Sequence, residues 1–340
     1  MVYVIEGLTH PLLGCPVLEQ LGVIRRFYAV QCGDSSGFWK DKCPSLFIGL
    51  GTMPGKYVIS LKENIQPFLV SVPRRVALPL LFKVKNQLEF MENESIIEKV
   101  CEPTDWCAPM VVVPKPNGSV RITTDFSRLN EAVRRPKYEI PSVDDTLTKL
   151  GNAKIFSKLD ANSGFYQCIL NETSTPLTTF ITPFGRYMYK RLPMGISSAP
   201  EVYSRKMATV LQDLEGTLNL MDDICVYGPS MDEDNKRLHN VLQRLVKAGV
   251  ALNSEKCVYG VNSMTYLGYV VDQNGVHPDP NKLEAISKYP TPSSVSDVRR
   301  FLGMINQLAK FVRKIYLRCL NLLECCCRKV QHGTGSHSRS

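Results

Sequence analysis

The sequence lacks the long apolar segments that a membrane protein needs. No run of about eighteen apolar residues occurs anywhere in its 340 residues. The N-terminus also lacks the basic flank and the apolar stretch of a secretory signal peptide. We therefore expect an intracellular protein, located in the cytoplasm, that neither crosses a membrane nor leaves the cell.

Zinc-type cysteine spacing is absent as well. The twelve cysteines are scattered, and no pair of Cys-x-x-Cys units is present. The run Cys325-Cys326-Cys327 cannot close a metal site by itself, and its role stays open. The sequence therefore predicts reduced thiols that are buried or incidental.

Acidic residues are fewer than basic residues. Lys and Arg number 41 against 32 Asp and Glu, which gives a formal net charge of +9. This balance suits a polyanionic partner such as nucleic acid, although an ordinary basic protein has the same composition. The length allows two or three lobes, each with its own core.

Two adjacent acids stand within an apolar stretch, Leu220-Met221-Asp222-Asp223-Ile224-Cys225-Val226-Tyr227. The apolar and β-branched residues predict two strands, and Gly216 and Gly228-Pro229 bound them, so the acids fall at a tight hairpin turn. Asp160 ends another short apolar strand, residues 154–160. Three carboxylates brought together suit Mg²⁺ held near a phosphate, whereas an isolated Asp-Asp pair is often only a solvated turn.

A second hairpin carries candidate cations. Residues 105–114 have the apolar pattern of a buried strand, and Pro116-Asn117-Gly118 is a turn sequence. Lys115 precedes this turn, and Arg121 follows it on the return strand. The two cations can bind a triphosphate, the arginine as a planar fork and the lysine as a point charge. A solvated hairpin with surface charges is the alternative.

Apolar periodicity and capping residues predict four helices, and residues 57–62 alternate like a strand. The helices are 80–97, with Val84, Leu88, Phe90 and Met91 as its apolar face; 143–150, with Ser142 as N-cap; 201–214, with Val202, Met207, Val210 and Leu211 inward; and the helix after the capping box Ser230–Glu233, with Leu238, Val241, Leu242, Leu245 and Val246 inward and Gly249 at its end.

Further short motifs follow one another between Leu46 and Phe311. They are Pro114-Lys-Pro-Asn-Gly118, Thr124-Asp-Phe126, Phe156-Ser-Lys-Leu-Asp160, Thr179-Phe-Ile-Thr-Pro-Phe-Gly185, Arg191-Leu-Pro-Met-Gly195, Asn253-Ser-Glu-Lys-Cys257, Tyr266-Leu-Gly-Tyr269 and Asp279-Pro-Asn-Lys282. In this order they resemble the reverse transcriptase region of Pol polyproteins from long-terminal-repeat retrotransposons of the Ty3/gypsy group.

The resemblance implies an α+β fold: the polymerase right hand of fingers, palm and thumb, with an antiparallel palm sheet backed by helices. It places the connecting segment and the entry to the fingers at 41–100, the fingers and palm at 101–290, and the start of the thumb and connection helices at 291–314. The divergent tail 315–340 is polar near its end and is expected to be disordered.

Residues 1–40 resemble the C-terminal part of a retropepsin-like aspartic protease through Pro11-Leu-Leu-Gly-Cys-Pro-Val-Leu18. Neither Asp-Thr-Gly nor Asp-Ser-Gly precedes this segment, and Asp34-Ser35-Ser36 lies downstream of it with serine in the place of the glycine. A partial protease fold cannot supply the paired carboxylates, so we predict no protease activity.

The function implied by the resemblance is that of an RNA-directed DNA polymerase core, a nucleotidyltransferase that extends a primer on an RNA or DNA template. The implied site residues are Asp160, Asp222 and Asp223 as catalytic residues and metal ligands; Lys115, Arg121, Phe165 and Met194 at the nucleotide; and Tyr266, Leu267, Gly268 and Tyr269 at the primer. The ring of Phe165 would collide with a ribose 2′-hydroxyl, although a core aromatic is the alternative role for this residue.

The implied cofactor is a pair of Mg²⁺ ions, with Mn²⁺ as a possible substitute. The implied partners are a template with its primer and deoxynucleoside triphosphates, within the virus-like particle of the element and away from any membrane; the oligomeric state stays open. Two alternatives remain. The chain could be a catalytically inactive, nucleic-acid-binding relic of a truncated retrotransposon, or a piece of a larger polyprotein that folds or dimerises only with its other parts.

Overall fold

The computed structural model describes residues 2–3, 12–13, 36–151, 153–290, 294–306, 308 and 311. They belong to two compact units, one made of residues 31–262 and the other of residues 1–30 with 263–340. The helices within these residues are α1 Ser36–Lys42, α2 Leu78–Asn93, α3 Ser127–Ala132, α4 Val143–Thr148, α5 Ala199–Val210, α6 Met231–Lys247, α7 Pro280–Ser287 and α8 Val295–Asn306. The strands are β1 Val2–Tyr3, β2 Leu12–Leu13, β3 Ile97–Val100, β4 Ala108–Pro114, β5 Val120–Thr124, β6 Ile155–Asp160, β7 Phe180–Thr182, β8 Gly185–Tyr189, β9 Thr217–Leu220, β10 Asp223–Gly228, β11 Val258–Val261, β12 Ser263–Tyr266, β13 Tyr269–Asp272 and β14 Gly275–Pro278.

A four-stranded antiparallel sheet in the larger unit has the order β11-β6-β10-β9. Its central strands are apolar and nearly buried, as a sheet covered by a helix requires. That helix is α6, which packs on β10 and β6. Its buried apolar face is formed by Leu238, Val241, Leu242 and Leu245. The Ser230 hydroxyl caps the helix by accepting the N–H of Glu233 at 3.4 Å.

A five-stranded sheet in the same unit has the order β3-β8-β7-β4-β5, antiparallel except for the parallel pair β4 and β7. The hairpin of β4 and β5 turns through Gly118, whose φ of +78° is a conformation that favours glycine. Lys115 and Ser119 close the turn with a backbone hydrogen bond of 2.8 Å. The predicted strand and turn are therefore confirmed.

In the smaller unit, β12, β13 and β14 form an antiparallel meander. Leu267 and Gly268 make its first turn with φ of +52° and +78°. Helix α7 follows, with the Asp279 carboxylate accepting the N–H of Asn281 as an N-cap at 2.9 Å. Strands β1 and β2 pair antiparallel within the segment that resembles a protease. Most of residues 1–40, and all of 315–340 with the three consecutive cysteines, lie outside the described residues.

Most predicted helices occur, with different ends. Ser142 is the N-cap of α4, and its hydroxyl accepts the N–H of Asp145 at 3.1 Å. The helix predicted at 201–214 runs from 199 to 210 instead. Two inward assignments were wrong: Phe90 and Val246 are 54 % and 36 % exposed, because each lies off the buried stripe of its helix.

The strand predicted at 57–62 was also wrong. Only isolated bridges form there, from Tyr57 to Leu170 and from Leu61 to Val133, so the segment crosses its neighbours without pairing along its length. None of the helices that the structure describes is both long and apolar enough to span a membrane. The cysteines among the described residues are free thiols, as predicted. Burial raises the pKa of the Cys168 thiol to about 11, which keeps it protonated near neutral pH.

Candidate active site

The four-stranded sheet brings the three predicted acids together. Asp160 is the last residue of β6, and it pairs directly with Asp223, the first residue of β10. Asp223 also pairs with Leu220, so Met221 and Asp222 form a two-residue turn between β9 and β10. Only Asp222 therefore lies in the turn, whereas the sequence placed both acids there.

The turn is held in an unusual backbone conformation. Met221 has a φ of +56°, which is uncommon for a residue with a side chain and is found where the surroundings enforce it. The Asp222 carbonyl accepts a 3.1 Å hydrogen bond from the N–H of Ala161, the residue after Asp160. The backbone of the turn is thereby fixed to the end of β6.

Two lysines neutralise two of the three carboxylates. Lys158 Nζ lies 2.8 Å from Asp223 Oδ1. Lys256 Nζ lies 3.2 Å and 3.4 Å from the two carboxylate oxygens of Asp160. The Lys256 side chain is 62 % exposed and that of Lys158 is 22 % exposed. Lys256 is therefore the cation that leaves its carboxylate more easily.

Asp222 differs from the other two acids. Its Oδ1 atom is buried and has no hydrogen-bond partner within the described residues. Burial, followed by the nearby carboxylates of Asp160 and Asp223, raises the pKa of Asp222 to about 6, and Lys256 opposes the shift. A carboxylate that is costly to ionise in this setting gains most when a cation binds beside it.

A glycine makes room for this carboxylate. A Cβ atom on Gly164 would lie 2.4 Å from Asp222 Oδ1 and 2.8 Å from both Cζ and Oη of Tyr203. Gly164 opens the short 3₁₀ turn that also contains Phe165. The half-buried Phe165 ring packs edge-on against Tyr203, with the ring centroids 5.4 Å apart. Phe165 thus has a core contact and also lies beside the carboxylate cluster.

Gln167 fixes the chain around Asp160. Its fully buried amide donates to the carbonyls of Asn162 and Ala251, each at 2.8 Å, and accepts the N–H of Ala251 at 3.0 Å. The Asp160 carbonyl accepts the N–H of Asn253 at 2.9 Å. These bonds connect the end of β6 to the segment that leads to Lys256.

The predicted nucleotide residues are partly brought together. The Arg121 guanidinium contacts the sulfur of Met194. The loop after Met194 is held by Asn130, whose amide donates to the carbonyl of Gly195 at 2.8 Å and accepts the N–H of Ser197 at 2.7 Å. Lys115 lies exposed at the start of the β4–β5 turn, and within the described part of the chain its side chain forms no hydrogen bond or ion pair.

The predicted primer residues lie in the smaller unit. Tyr266 is fully buried, whereas Tyr269 is half-buried. Lys282 Nζ donates to the carbonyl of Gly268 at 3.0 Å and lies 5.2 Å from the centre of the Tyr269 ring. Leu267 completes the same turn. The assignment of these residues to the primer stays a prediction.

Four residues of the cluster had no role in the sequence interpretation: Lys158, Lys256, Gly164 and Tyr203. Lys158 had a local signal, because it precedes Asp160 by two residues and so shares its face of the strand. The contact between Lys256 and Asp160 joins residues far apart in sequence, which no local pattern reveals. Tyr203 occupies an inward helical position, where an aromatic residue is normally taken as core.

The donor set suits a hard cation in its chemistry. All three acids offer carboxylate oxygens, which Mg²⁺ prefers, and Asp222 has an oxygen that nothing else satisfies. Across residues 36–151, 153–290 and the short described segments around them, no three His, Cys, Asp or Glu side chains stand close enough to hold an ion as they are. Asp223 and Asp160 are instead each paired with a lysine, Lys158 and Lys256 respectively.

Comparisons with known proteins agree with this geometry. Residues 113–271 match the family model of the reverse transcriptase, an RNA-dependent DNA polymerase. The chain is 37 % identical over 238 residues to a Pol polyprotein from the Drosophila melanogaster transposon opus, covering 68 % of this chain and 24 % of the relative. It is 31 % identical over 238 residues to that of transposon gypsy, covering 68 % and 23 %. A Tf2-3 polyprotein of Schizosaccharomyces pombe is 29 % identical over 208 residues, covering 61 % and 16 %.

Solved structures show the same fold. A foamy viral protease-reverse transcriptase in complex with an RNA/DNA hybrid has a TM-score of 0.72 at 19 % identity, covering 81 % of this chain and 38 % of that one. The same protein in complex with double-stranded DNA also has a TM-score of 0.72 at 19 % identity, covering 86 % and 62 %. The expected α+β polymerase fold is thus confirmed, while the protease resemblance of residues 1–40 stays a prediction.

The chain spans about a quarter or less of the curated relatives it matches. The acidic hairpin, the strand that ends at Asp160 and the β4–β5 hairpin from Val113 onward all lie within the matched segment. Residues 113–271 therefore constitute a reverse transcriptase domain homologous to that of the Pol polyproteins of Ty3/gypsy-type retrotransposons.

Proposed function

We propose that the chain is the core of an RNA-directed DNA polymerase, which adds deoxynucleotides to a primer on an RNA or DNA template. The observation that carries the proposal is the convergence of Asp160, Asp222 and Asp223 at the ends of paired strands, with a buried and unpaired oxygen on Asp222. Ordinary solvated turn acids do not show this burial.

Asp160, Asp222 and Asp223 would hold two Mg²⁺ ions, or Mn²⁺ in their place. When bound, such ions stabilise the charge of the transferring phosphoryl group and lower the pKa of the attacking hydroxyl. The chain's own part is to position the carboxylates on rigid strands. Lys158 and Lys256 neutralise two of them beforehand, so that three acids can share one site.

The nucleotide would lie between this cluster and the β4–β5 hairpin. Arg121 and Lys115 would bind its triphosphate, Met194 would contact it beside Arg121, and Phe165 would exclude a ribose 2′-hydroxyl. Support for the last role comes from the packing of Phe165 on Tyr203, which holds the ring in one place next to the carboxylates. A mobile ring could not discriminate by shape.

The template and primer would be bound through positive charge and through the turn of residues 266–269. The solved foamy viral proteins of similar fold contain an RNA/DNA hybrid or double-stranded DNA. The formal net charge of +9 supports a nucleic-acid partner for this chain as well.

Primer extension on an RNA template with Mg²⁺ and deoxynucleotides tests the proposal. We expect Asp222→Asn to lower incorporation at least about 100-fold, because the neutral amide cannot replace a metal-binding carboxylate. Asp232→Asn is the matched control, since Asp232 is an exposed acid in the first turn of α6. Duplex binding without incorporation by the unchanged chain would instead identify a non-catalytic relic. Full activity of Asp222→Asn would place the chemistry elsewhere.

A further inference from the structure

Tyr203 has an unusual position for a buried tyrosine. The residue is fully buried in α5, and its hydroxyl oxygen has no hydrogen-bond partner within the described residues. Buried tyrosine hydroxyls normally find a partner, because an unpaired one loses its hydration without compensation. The hydroxyl therefore needs an explanation that hydrophobic packing does not provide.

The second unpaired atom lies beside it. Asp222 Oδ1 and Tyr203 Oη are 2.4 Å and 2.8 Å from the same point, the position that a Cβ atom would take on Gly164. One atom is an acceptor and the other is a donor. The two atoms therefore lie closer together than the length of two hydrogen bonds, in space that the missing side chain of Gly164 leaves open.

We propose that Tyr203 is a positioning residue for Asp222. Its hydroxyl donates a hydrogen bond to Oδ1 after a small rotation of the carboxylate, and the remaining lone pairs of the two carboxylate oxygens stay available to a cation. This inference rests on the proposed function, because it assigns Asp222 to the metal. A hydrogen bond to an ionised carboxylate is stronger than one between neutral groups and fixes the orientation of its acceptor.

A purely structural role for Tyr203 makes a different prediction. The ring supports Phe165 by an edge-on contact, and phenylalanine would preserve that contact. Tyr203→Phe therefore removes only the hydroxyl. Tyr189→Phe is the matched control, because Tyr189 is equally buried and its hydroxyl lies 3.3 Å from the hydroxyl of Thr124, in the five-stranded sheet.

The first test is Mn²⁺ binding to the full chain without nucleic acid at pH 8, measured from the electron paramagnetic resonance signal of the free ion. We expect Tyr203→Phe to weaken binding about 10- to 100-fold, as loss of a residue that orients a metal ligand typically does. Tyr189→Phe should bind as the unchanged chain does. Equal binding by all three proteins would overturn the proposal.

The second test needs no metal and compares thermal unfolding of four proteins: the unchanged chain, Tyr203→Phe, Asp222→Ala and the double variant. Loss of the hydroxyl should lower Tm by about 2–4 °C when Asp222 is present and should have no such effect in the Asp222→Ala background. An equal loss in both backgrounds would overturn the inference. Absence of Mn²⁺ binding in the unchanged chain would remove the metal from the proposed function. The comparison of thermal unfolding among the four proteins would then decide whether Tyr203 positions Asp222.

Discussion

The two hairpins that carry the candidate site are built in opposite ways. The β9–β10 hairpin holds its acids against β6, and the side chains of Asp223 and of Asp160, the last residue of β6, are only 28 % and 15 % exposed. The β4–β5 hairpin presents its tip, residues 114–118, to solvent. Its Lys115 is exposed, and the contact of Arg121 is to a methionine sulfur.

This difference separates two kinds of constraint. At the acidic hairpin, sheet register, burial and charge all act on the same carboxylate groups. A substitution there should therefore change stability and catalytic activity together. At the basic hairpin, the backbone turn is closed by its own hydrogen bonds and the side chains are left over for a ligand. A substitution there should change only binding. The predictions below test this contrast.

Gly164→Ala should have the largest effect, because it places a carbon atom between Asp222 and Tyr203 at distances that real Cβ atoms do not show. We expect the free energy of unfolding to fall by about 1–3 kcal/mol and nucleotide incorporation to fall at least about 100-fold. Thermal unfolding and primer extension measure the two effects. Gly37→Ala is the control, since a Cβ there meets nothing within 4 Å. Normal activity of Gly164→Ala would show that the cluster tolerates displacement.

Phe165→Val should change selectivity more than overall rate. Removal of the ring opens space beside the proposed position of the sugar, so discrimination against ribonucleotides should fall at least about tenfold in single-nucleotide incorporation. Phe184→Val is a suitable control, because Phe184 is another half-buried ring that packs on the same core. If both variants lose stability and neither accepts ribonucleotides, Phe165 has only a core role.

The sequence was sufficient to predict secondary structure and turns where the residue pattern is local. The apolar stretches around Asp160 and Asp222 predicted strands, Gly118 and its neighbours predicted a turn, and Ser142 and Ser230 predicted caps; each of these occurs. Such features depend on residues within a few positions of one another, which is why a single sequence shows them.

The contact of Lys256 with Asp160 and that of Tyr203 with Phe165 could not be predicted, because each joins chain segments that are distant in sequence. The pairing of Asp223 with Asp160 depends on strand register, which the local pattern of either strand does not determine. The resemblance to reverse transcriptases placed the three acids in one site. It did not reveal that Asp222 has a buried oxygen without a hydrogen-bond partner among the described residues.

Arg121→Ala and Lys115→Ala sharpen the contrast at the exposed hairpin. Each should raise the KM for deoxynucleotides about tenfold, because a charge-assisted contact to the triphosphate is lost. Tm should stay unchanged, since neither side chain supports the fold. Steady-state incorporation and thermal unfolding measure the two quantities. Lys85→Ala is the control, because Lys85 is an exposed lysine of α2 with only a 3.9 Å ion pair to Glu89. Unchanged KM values would remove both residues from the nucleotide site.

Asp234→Asn separates burial from repulsion between carboxylates. Asp234 lies fully buried in the first turn of α6, where its carboxylate accepts the Ser157 hydroxyl at 2.8 Å, and burial raises its pKa to about 6. Because an unfolded aspartate titrates near 4, the folded chain binds more protons between about pH 4 and 6, and Asp234 lowers stability as the pH rises through this range. Asparagine removes that penalty of about 2 kcal/mol, so the Tm of the variant relative to the unchanged chain should rise by about 4–8 °C from pH 4.5 to pH 7.5.

The control is the exposed Asp232→Asn in the same turn, which should show no such rise. A difference in Tm that is independent of pH would mean that burial alone does not raise the pKa of an acid packed against this sheet, which would favour the neighbouring carboxylates as the cause of the raised pKa of Asp222.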